Sequence, residues 1–265
     1  MFERMPTSRM PVLFVGHGSP LNAIVDNPYA RAWRALGGEL PRPSAILSIS
    51  AHWYVPATMV TANEHPRTIH DFGGFPRELH AMQYPASGDR ALAARVTELL
   101  APFNALGTER WGLDHGTWSV LAHLAPKADI PVVQLSIDET LEPAMHYEIG
   151  TMLRPLRDEG VLIFASGNIV HNLHAYAWGG HPAEPFDWAT RFEREVRLHL
   201  TQRLHEPIID YESQGEHALL SAPTPDHYVP LLYAAGASDE RDDVSFPIEG
   251  IDGGSISMLS VLFQE

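Results

Sequence analysis

Six short apolar runs divide this chain, and what lies between them restricts it to a narrow range of folds. Val12–Val15, Ala45–Ile49, Met59–Thr61, Pro131–Ile137, Val161–Ala165 and Ile256–Phe263 mostly have the length and β-branched enrichment of buried strands. Helical patterns separate them. Asp89 is placed to cap a helix whose Leu92, Val96, Leu99, Leu100 and Phe103 share one face. Asp187 is placed to cap another, in which Trp188, Phe192, Val196, Leu200 and Leu204 recur every four residues while Arg191, Glu193, Glu195 and Arg197 turn outward. The alternation predicts an α/β fold with a central mixed or mostly parallel sheet flanked by helices. The 22 prolines and 20 glycines are spread through the connections, and no repeat or composition shift marks a boundary. One domain spanning 1–265 is therefore expected.

Charge and composition exclude more than they assign. With 33 acidic against 18 basic residues the formal net charge is −15, which argues against a nucleic-acid or anionic-membrane partner. The absence of cysteine removes disulfides, iron–sulfur clusters and thiol nucleophiles. The opening Met-Phe-Glu-Arg-Met-Pro-Thr-Ser-Arg-Met has no long apolar signal core, and no stretch reaches the roughly 18–20 apolar residues that span a bilayer. A cytoplasmic protein is expected, as a monomer or small homo-oligomer.

Histidine is where chemistry concentrates. His17 stands in Gly-His-Gly-Ser-Pro, His52 in Ser-Ala-His-Trp, His115 in Asp-His-Gly-Thr-Trp and His171 in Gly-Asn-Ile-Val-His-Asn, while His227 opens Asp-His-Tyr-Val-Pro. Imidazole is the commonest protein metal ligand, and no thiolate competes for the role. In open α/β sheets, ligand sites form beyond the carboxyl ends of the strands. His17, His52 and His171 each follow one of the predicted strands, so three histidines should point into one crevice, with a metal site at the strand carboxyl ends. His227, near a predicted helix start, can reach the same edge. Gly16 and Gly18 permit a tight turn beside His17.

Taken singly, a loop histidine is more often exposed or hydrogen-bonded than a ligand. His65, His70, His80, His123, His146, His174, His181, His199, His205 and His217 carry that bland reading, His199 and His205 as solvated positions on the second amphipathic helix. His115 either braces a turn or acts in catalysis, and His171 and His227 carry the same pair of readings. Ser19 lacks the Gly-x-Ser-x-Gly setting of a nucleophile elbow. No phosphate-binding or dinucleotide-binding glycine motif is present. Trp53 and Trp118 wall a pocket or pack in the core. The irregular stretch from Asn63 to Gly88 is long enough to suggest a functional loop.

Read together, these segments resemble the class III extradiol ring-cleavage dioxygenases, in the branch of the 4,5-DOPA extradiol dioxygenases. The resemblance runs through Gly16–Pro20, Ser50–Trp53, Asp71–Pro76 with Tyr84-Pro85, Asp114–Trp118, Gly167–Asn172, Asp226–Tyr233 and Gly253–Phe263. Cobalt chelatases share a Gly-His-Gly-Ser turn but not the later motifs. The resemblance implies that His17, His52 and His227 hold one divalent metal, with His171 as a nearby donor or additional ligand and His115 as acid/base. It implies Fe(II) or Zn(II) as cofactor, and a catechol such as DOPA together with dioxygen as substrates. Better-known class III members use two histidines and a glutamate, whereas His227 here takes the carboxylate position. A zinc-dependent hydrolase of small esters or amides is the rival enzyme class, with His115 as its base. A non-catalytic metal-binding or sensing protein is the third. Arg77 is a candidate partner for a substrate carboxylate.

Overall fold

A computed structural model describes residues 9–179 and 183–265. Its strands are β1 (Val12–Gly16), β2 (Ala45–Val55), β3 (Met59–Thr61), β4 (Leu106–Thr108), β5 (Val132–Asp138), β6 (Val161–Gly167), β7 (Asp243–Ile248), β8 (Ile251–Asp252), β9 (Ile256–Ser257) and β10 (Ser260–Gln264). Its helices are α1 (Pro28–Glu39), α2 (Arg77–Ala81), α3 (Arg90–Leu99), α4 (His115–Leu124), α5 (Pro143–Leu153), α6 (Pro155–Asp158), α7 (Asp187–Thr201), α8 (His205–Ile209), α9 (Glu216–Ser221) and α10 (Pro230–Ala237).

Eight strands form one sheet in the order β4-β3-β5-β2-β6-β1-β10-β7. The central four, β5-β2-β6-β1, are parallel, and antiparallel pairs join them to both flanks. This is the mixed, mostly parallel α/β sheet expected from the apolar runs. Both faces of the centre are covered, which is why the strands read as continuous apolar runs rather than alternating ones. Val12 and Phe14 pack toward α5, α7 and α10, whereas Leu13 and Val15 pack toward α1 and α4. No helix among the described residues is long and apolar enough to cross a membrane.

Several local expectations need correction. The run Ile256–Phe263 is two strands: β9 pairs with β8, and β10 joins the large sheet. Asp89 caps α3 as predicted, accepting the Ala91 and Leu92 N–H groups. Leu92, Val96 and Leu100 are buried, but Phe103 belongs to a separate 3-10 turn. Asp187 is the first residue of α7 and Phe186 is its cap, so the carboxylate acts on the helix dipole instead. Leu204 lies beyond the helix and is exposed, and His205 opens α8, its ring tilted 48° to that of Tyr147 at 5.3 Å. Glu193 does not turn outward fully, since it accepts a hydrogen bond from Ser257 Oγ at 2.5 Å.

Candidate metal centre

The five histidines arrive at the carboxyl edge of the central strands by different routes. His17 follows β1 directly, and its N–H donates to the Gly167 carbonyl at 3.0 Å. Gly18 then takes φ +58°, a turn that glycine makes without steric cost. His52 is not past a strand end. It lies inside β2, where pairing with β5 runs to Ile49–Leu135 and resumes only at Tyr54–Ile137. The extra β2 residues bulge out of the ladder, and bulges re-aim side chains in this way. His115 is the first residue of α4, behind an Asp114 cap that accepts the Thr117 N–H. His227 sits in the turn before α10 and rests on β6, since a Cβ on Gly167 would approach the His227 carbonyl to 2.2 Å. His171 lies just past β6, bridged to Ile256 and donating its N–H to Ser221.

The rings converge. His17 lies 5.0, 5.7 and 5.3 Å, centroid to centroid, from His52, His115 and His227. His52 is 3.8 Å from His115 and 5.0 Å from His227. His171 joins through His227, stacked on it at 3.5 Å with the planes 3° apart. One nitrogen from each of His17, His52 and His115 lies within 4.8 Å of the other two. His17 Nε2 and His52 Nε2 are only 3.1 Å apart.

Hydrogen-bond accounting shows what these nitrogens can do. The Ser166 hydroxyl donates to the Gly116 carbonyl at 2.5 Å, so its oxygen must accept from His17 Nδ1 at 3.0 Å. His17 therefore carries its proton on Nδ1 and turns a bare Nε2 inward. His227 Nδ1 is bonded to the Asp226 carboxylate, which leaves Nε2 as its available nitrogen. His52 stands between two acceptors, the His17 lone pair at 3.1 Å and Asp71 Oδ2 at 3.3 Å from its Nδ1. A neutral imidazole has one N–H and cannot satisfy both. A second proton is opposed: burial first, and then His115, His17 and His227, push His52 well below the usual imidazole range. Burial and neighbouring imidazoles do the same to His17, and burial drives His171 down to about 2. A metal cation would resolve the conflict, because it would supply positive charge where a proton is costly. The 3.1 Å spacing also fits, since nitrogens bonded to one ion at about 2.1 Å are roughly 2.9–3.4 Å apart for right to tetrahedral angles.

Two carboxylates escaped the sequence reading. Asp226 lies beside His227; burial opposes its charge, but the hydrogen bond and charge of His227, with Thr224 and His171, together hold it well below the usual carboxylate range. Asp71, in the long loop, lies 3.0 Å from His115 Nδ1 as well as 3.3 Å from His52 Nδ1. Burial opposes its charge, but the bond from and charge of His115 keep its carboxyl low. Asp114 is the opposite case, raised to about 6 by burial and then by Asp71. The loop's length was the available signal for Asp71, and adjacency to His227 was the signal for Asp226.

Most of the remaining histidines divide as the bland reading expects, but His199 and His205 are not solvated positions: both are half-buried, and their Nδ1 atoms are buried without a hydrogen-bond partner among the described residues. His65, His80 and His174 are exposed. His123, His146 and His217 are buried and bonded to the Asn22 carbonyl, Tyr233 hydroxyl and Glu195 carboxylate. His70 reaches the Met82 carbonyl, and His181 lies outside the described residues. Ser19 caps a 3-10 turn by accepting the Leu21 N–H, a structural role. Trp53 stacks on Trp111, and buried Trp118 donates to the Ile69 carbonyl. Arg77 opens α2 on the surface.

Comparison with known proteins decides the chemistry that this geometry leaves open. The family model described as the catalytic LigB subunit of aromatic ring-opening dioxygenase matches residues 13–255. The chain belongs to the LigB family. It is 52% identical to the 4,5-DOPA dioxygenase extradiol of Escherichia coli K12, over 97% of this chain and 96% of that one. It is 37% identical to the protein of the same name from Beta vulgaris, over 94% and 95% of the two chains. A crystal structure of an uncharacterized Escherichia coli K12 protein superposes with a TM-score of 0.84 at 48% identity, covering 96% of this chain and 99% of that one. The LigB protein is thus an extradiol ring-opening dioxygenase, and the hydrolase and sensor readings fall away.

Proposed function

We propose that this LigB-family enzyme opens a catechol such as DOPA beside its diol, adding both atoms of dioxygen to give a semialdehyde. His17, His52 and His227 would hold one divalent ion, with His171 stacked behind His227 as a further donor. The observation that carries this reading is the proton deficit at His52, between the His17 lone pair and the Asp71 carboxylate. His227 is preferred to His115 as third ligand because Asp226 is already hydrogen-bonded to its Nδ1, the outer bond typical of metal-binding histidines, whereas His115 Nδ1 has only the unaligned Asp71 contact. When bound, Fe(II) supplies the Lewis acidity and electron relay that dioxygen chemistry needs, whereas Zn(II) supplies charge alone.

The chain's own residues handle protons and access. His115 Nδ1 has no aligned hydrogen bond, although Asp71 Oδ2 is 3.0 Å away, so its ring is not committed to a fixed partner. It accepts a catechol proton and returns one as the ring opens. Phe72 meets the His115 ring edge-on at 5.5 Å and covers it on the loop side. Asp71 and Asp226 add negative charge around the centre, favouring a cation and a catechol presented neutral or singly ionised.

The test is dioxygen uptake. Fe(II)-reconstituted protein mixed with DOPA is expected to consume one dioxygen per catechol and form a coloured semialdehyde, with the Zn(II) form inert. His115→Gln should lower kcat by about 10²–10⁴-fold while metal content stays the same. Failure of the Fe(II) protein to take up dioxygen with any catechol removes the proposal.

A further inference from the structure

The loop between β3 and α2 carries a carboxylate whose position is built rather than incidental. Thr68 pairs with Leu113 in a parallel bridge. The Ile69 N–H donates to the Leu113 carbonyl at 2.7 Å, and the Leu113 N–H to the Arg67 carbonyl at 2.9 Å. Trp118, buried in α4, donates its indole N–H to the Ile69 carbonyl at 2.8 Å. Two residues later Asp71 Oδ1 accepts the His115 backbone N–H at 3.0 Å. The loop is thus clamped to the start of α4 at successive points, and the second oxygen of Asp71 remains to be used.

That oxygen faces two imidazoles. Asp71 Oδ2 lies 3.0 Å from His115 Nδ1 and 3.3 Å from His52 Nδ1, and the two rings are 3.8 Å apart. Neither approach is a straight hydrogen bond. Contacts at catalytic centres are commonly loose before ligands bind and tighten afterwards. A carboxylate oxygen has two lone pairs, enough for two N–H donors. His17 and His227, by contrast, each have a partner of their own in Ser166 and Asp226.

We infer that Asp71 is a positioning residue shared by His52 and His115, its Oδ2 taking the Nδ1–H of both so that one loop carboxylate orients a metal ligand and the proton carrier together. This rests on the roles given to those two histidines above. Private partners would let metal affinity and proton transfer vary independently, whereas a shared one couples them. The loop then belongs to the centre itself, and a single substitution should disturb both functions.

Asp71→Asn is the sharpest variant, because its carbonyl can still accept the His115 backbone N–H while its amide turns an acceptor into a donor at Oδ2. Glu78→Ala, on exposed α2, controls for general loop effects, and Asp71→Ala gives the plain deletion. In Zn(II)-saturated, ¹⁵N-labelled protein, the downfield Nδ1–H signals of His52 and His115 should vanish in Asp71→Asn while those of His17 and His227 persist. Zn(II) affinity, read by chelator competition, should fall about 10–100-fold, and kcat for DOPA at saturating Fe(II) should fall by at least about 10-fold. Retention of the His52 and His115 signals, or loss of metal affinity without loss of kcat or the reverse, overturns the shared role. Should the wild-type protein turn over no catechol, the proposed reaction falls, but the zinc and NMR arms still decide whether Asp71 orients both rings.

Discussion

The two ends of the central strands bury polar groups by opposite rules. At the amino end Arg157, in α6 just before β6, is fully buried against Asp242, which precedes β7 and is also fully buried. Every guanidinium nitrogen is used: Nε donates to the Met10 carbonyl, Nη1 to Ala237 and Asp242, and Nη2 to Asp242. The Asp239 N–H completes the carboxylate. At the carboxyl end, five imidazoles are gathered, and His52 among them faces two acceptors with a single N–H. The Arg157–Asp242 pair closes on itself, although neighbouring Arg9, 3.8 Å from Asp242, keeps Nε and Nη1 without hydrogen bonds among the described residues. His52, by contrast, is completed only by something from outside. A buried polar cluster therefore points to a site when unmet hydrogen bonds and groups that bind metals coincide, as at His52, and not when either occurs alone, as at Arg9.

The largest expected effect tests the closed end. Arg157→Leu leaves the buried Asp242 carboxylate only the Asp239 N–H and Arg9, 3.8 Å away, and should remove about 3–5 kcal/mol from unfolding stability, measured by denaturant titration of metal-free protein. Metal stoichiometry and affinity should be unchanged, because the two ends share no hydrogen bond in the network described. Weakened metal binding would show that the ends are coupled, with α10 as the obvious link, since it runs from the His227 turn to Ala237.

A smaller effect tests the open end. Asp226→Ala leaves His227 Nδ1 without its acceptor and should weaken Zn(II) binding about 10–100-fold, or about 1.4–2.7 kcal/mol, with little change in metal-free stability. Unchanged affinity would remove His227 from the ligand set and promote the trio His17, His52 and His115, whose nitrogens already lie within 4.8 Å of one another.

The same contrast explains how much could be read in advance. The parallel centre and its covering helices were legible because burial on both faces leaves continuous apolar runs, as in Leu13–Val15 and Val161–Ala165. The five histidines brought together were legible because each lies in a short motif, His52 at a bulge inside β2 and the others at or near a strand or helix end. Apart from Asp226, which adjoins His227, what escaped depends on contacts distant in sequence. Asp71 acts across to His52 and His115, and Ser166 fixes the His17 tautomer from a different strand. Neither position has a local pattern that distinguishes it from an ordinary loop aspartate or strand serine. His52 was placed past its strand because a bulge leaves no periodicity for a pattern to follow. Arg157 and Asp242 were invisible for the same reason, being 85 residues apart.

The smallest effect is the most discriminating, because its sign should reverse between the two ends. In the metal-free protein a neutral His52 leaves one of its two facing acceptors unanswered, and burial with neighbouring imidazoles disfavours the charged form that would answer both. Replacing it with Leu, of similar size and with no polar atom, removes that conflict while Asp71 keeps the His115 backbone N–H. Unfolding in excess chelator should then show His52→Leu more stable than wild type by about 0.5–2 kcal/mol, the usual gain when a residue kept for function is replaced. Added Zn(II) should reverse the ranking, since an ion that binds only the folded state stabilises wild type by about 4.1 kcal/mol at a thousandfold excess over Kd and has lost a ligand in the variant. A metal-free His52→Leu protein less stable than wild type would mean the imidazoles satisfy one another without an ion. The distinction between a closed end and an open one would then fail at the residue on which it depends most.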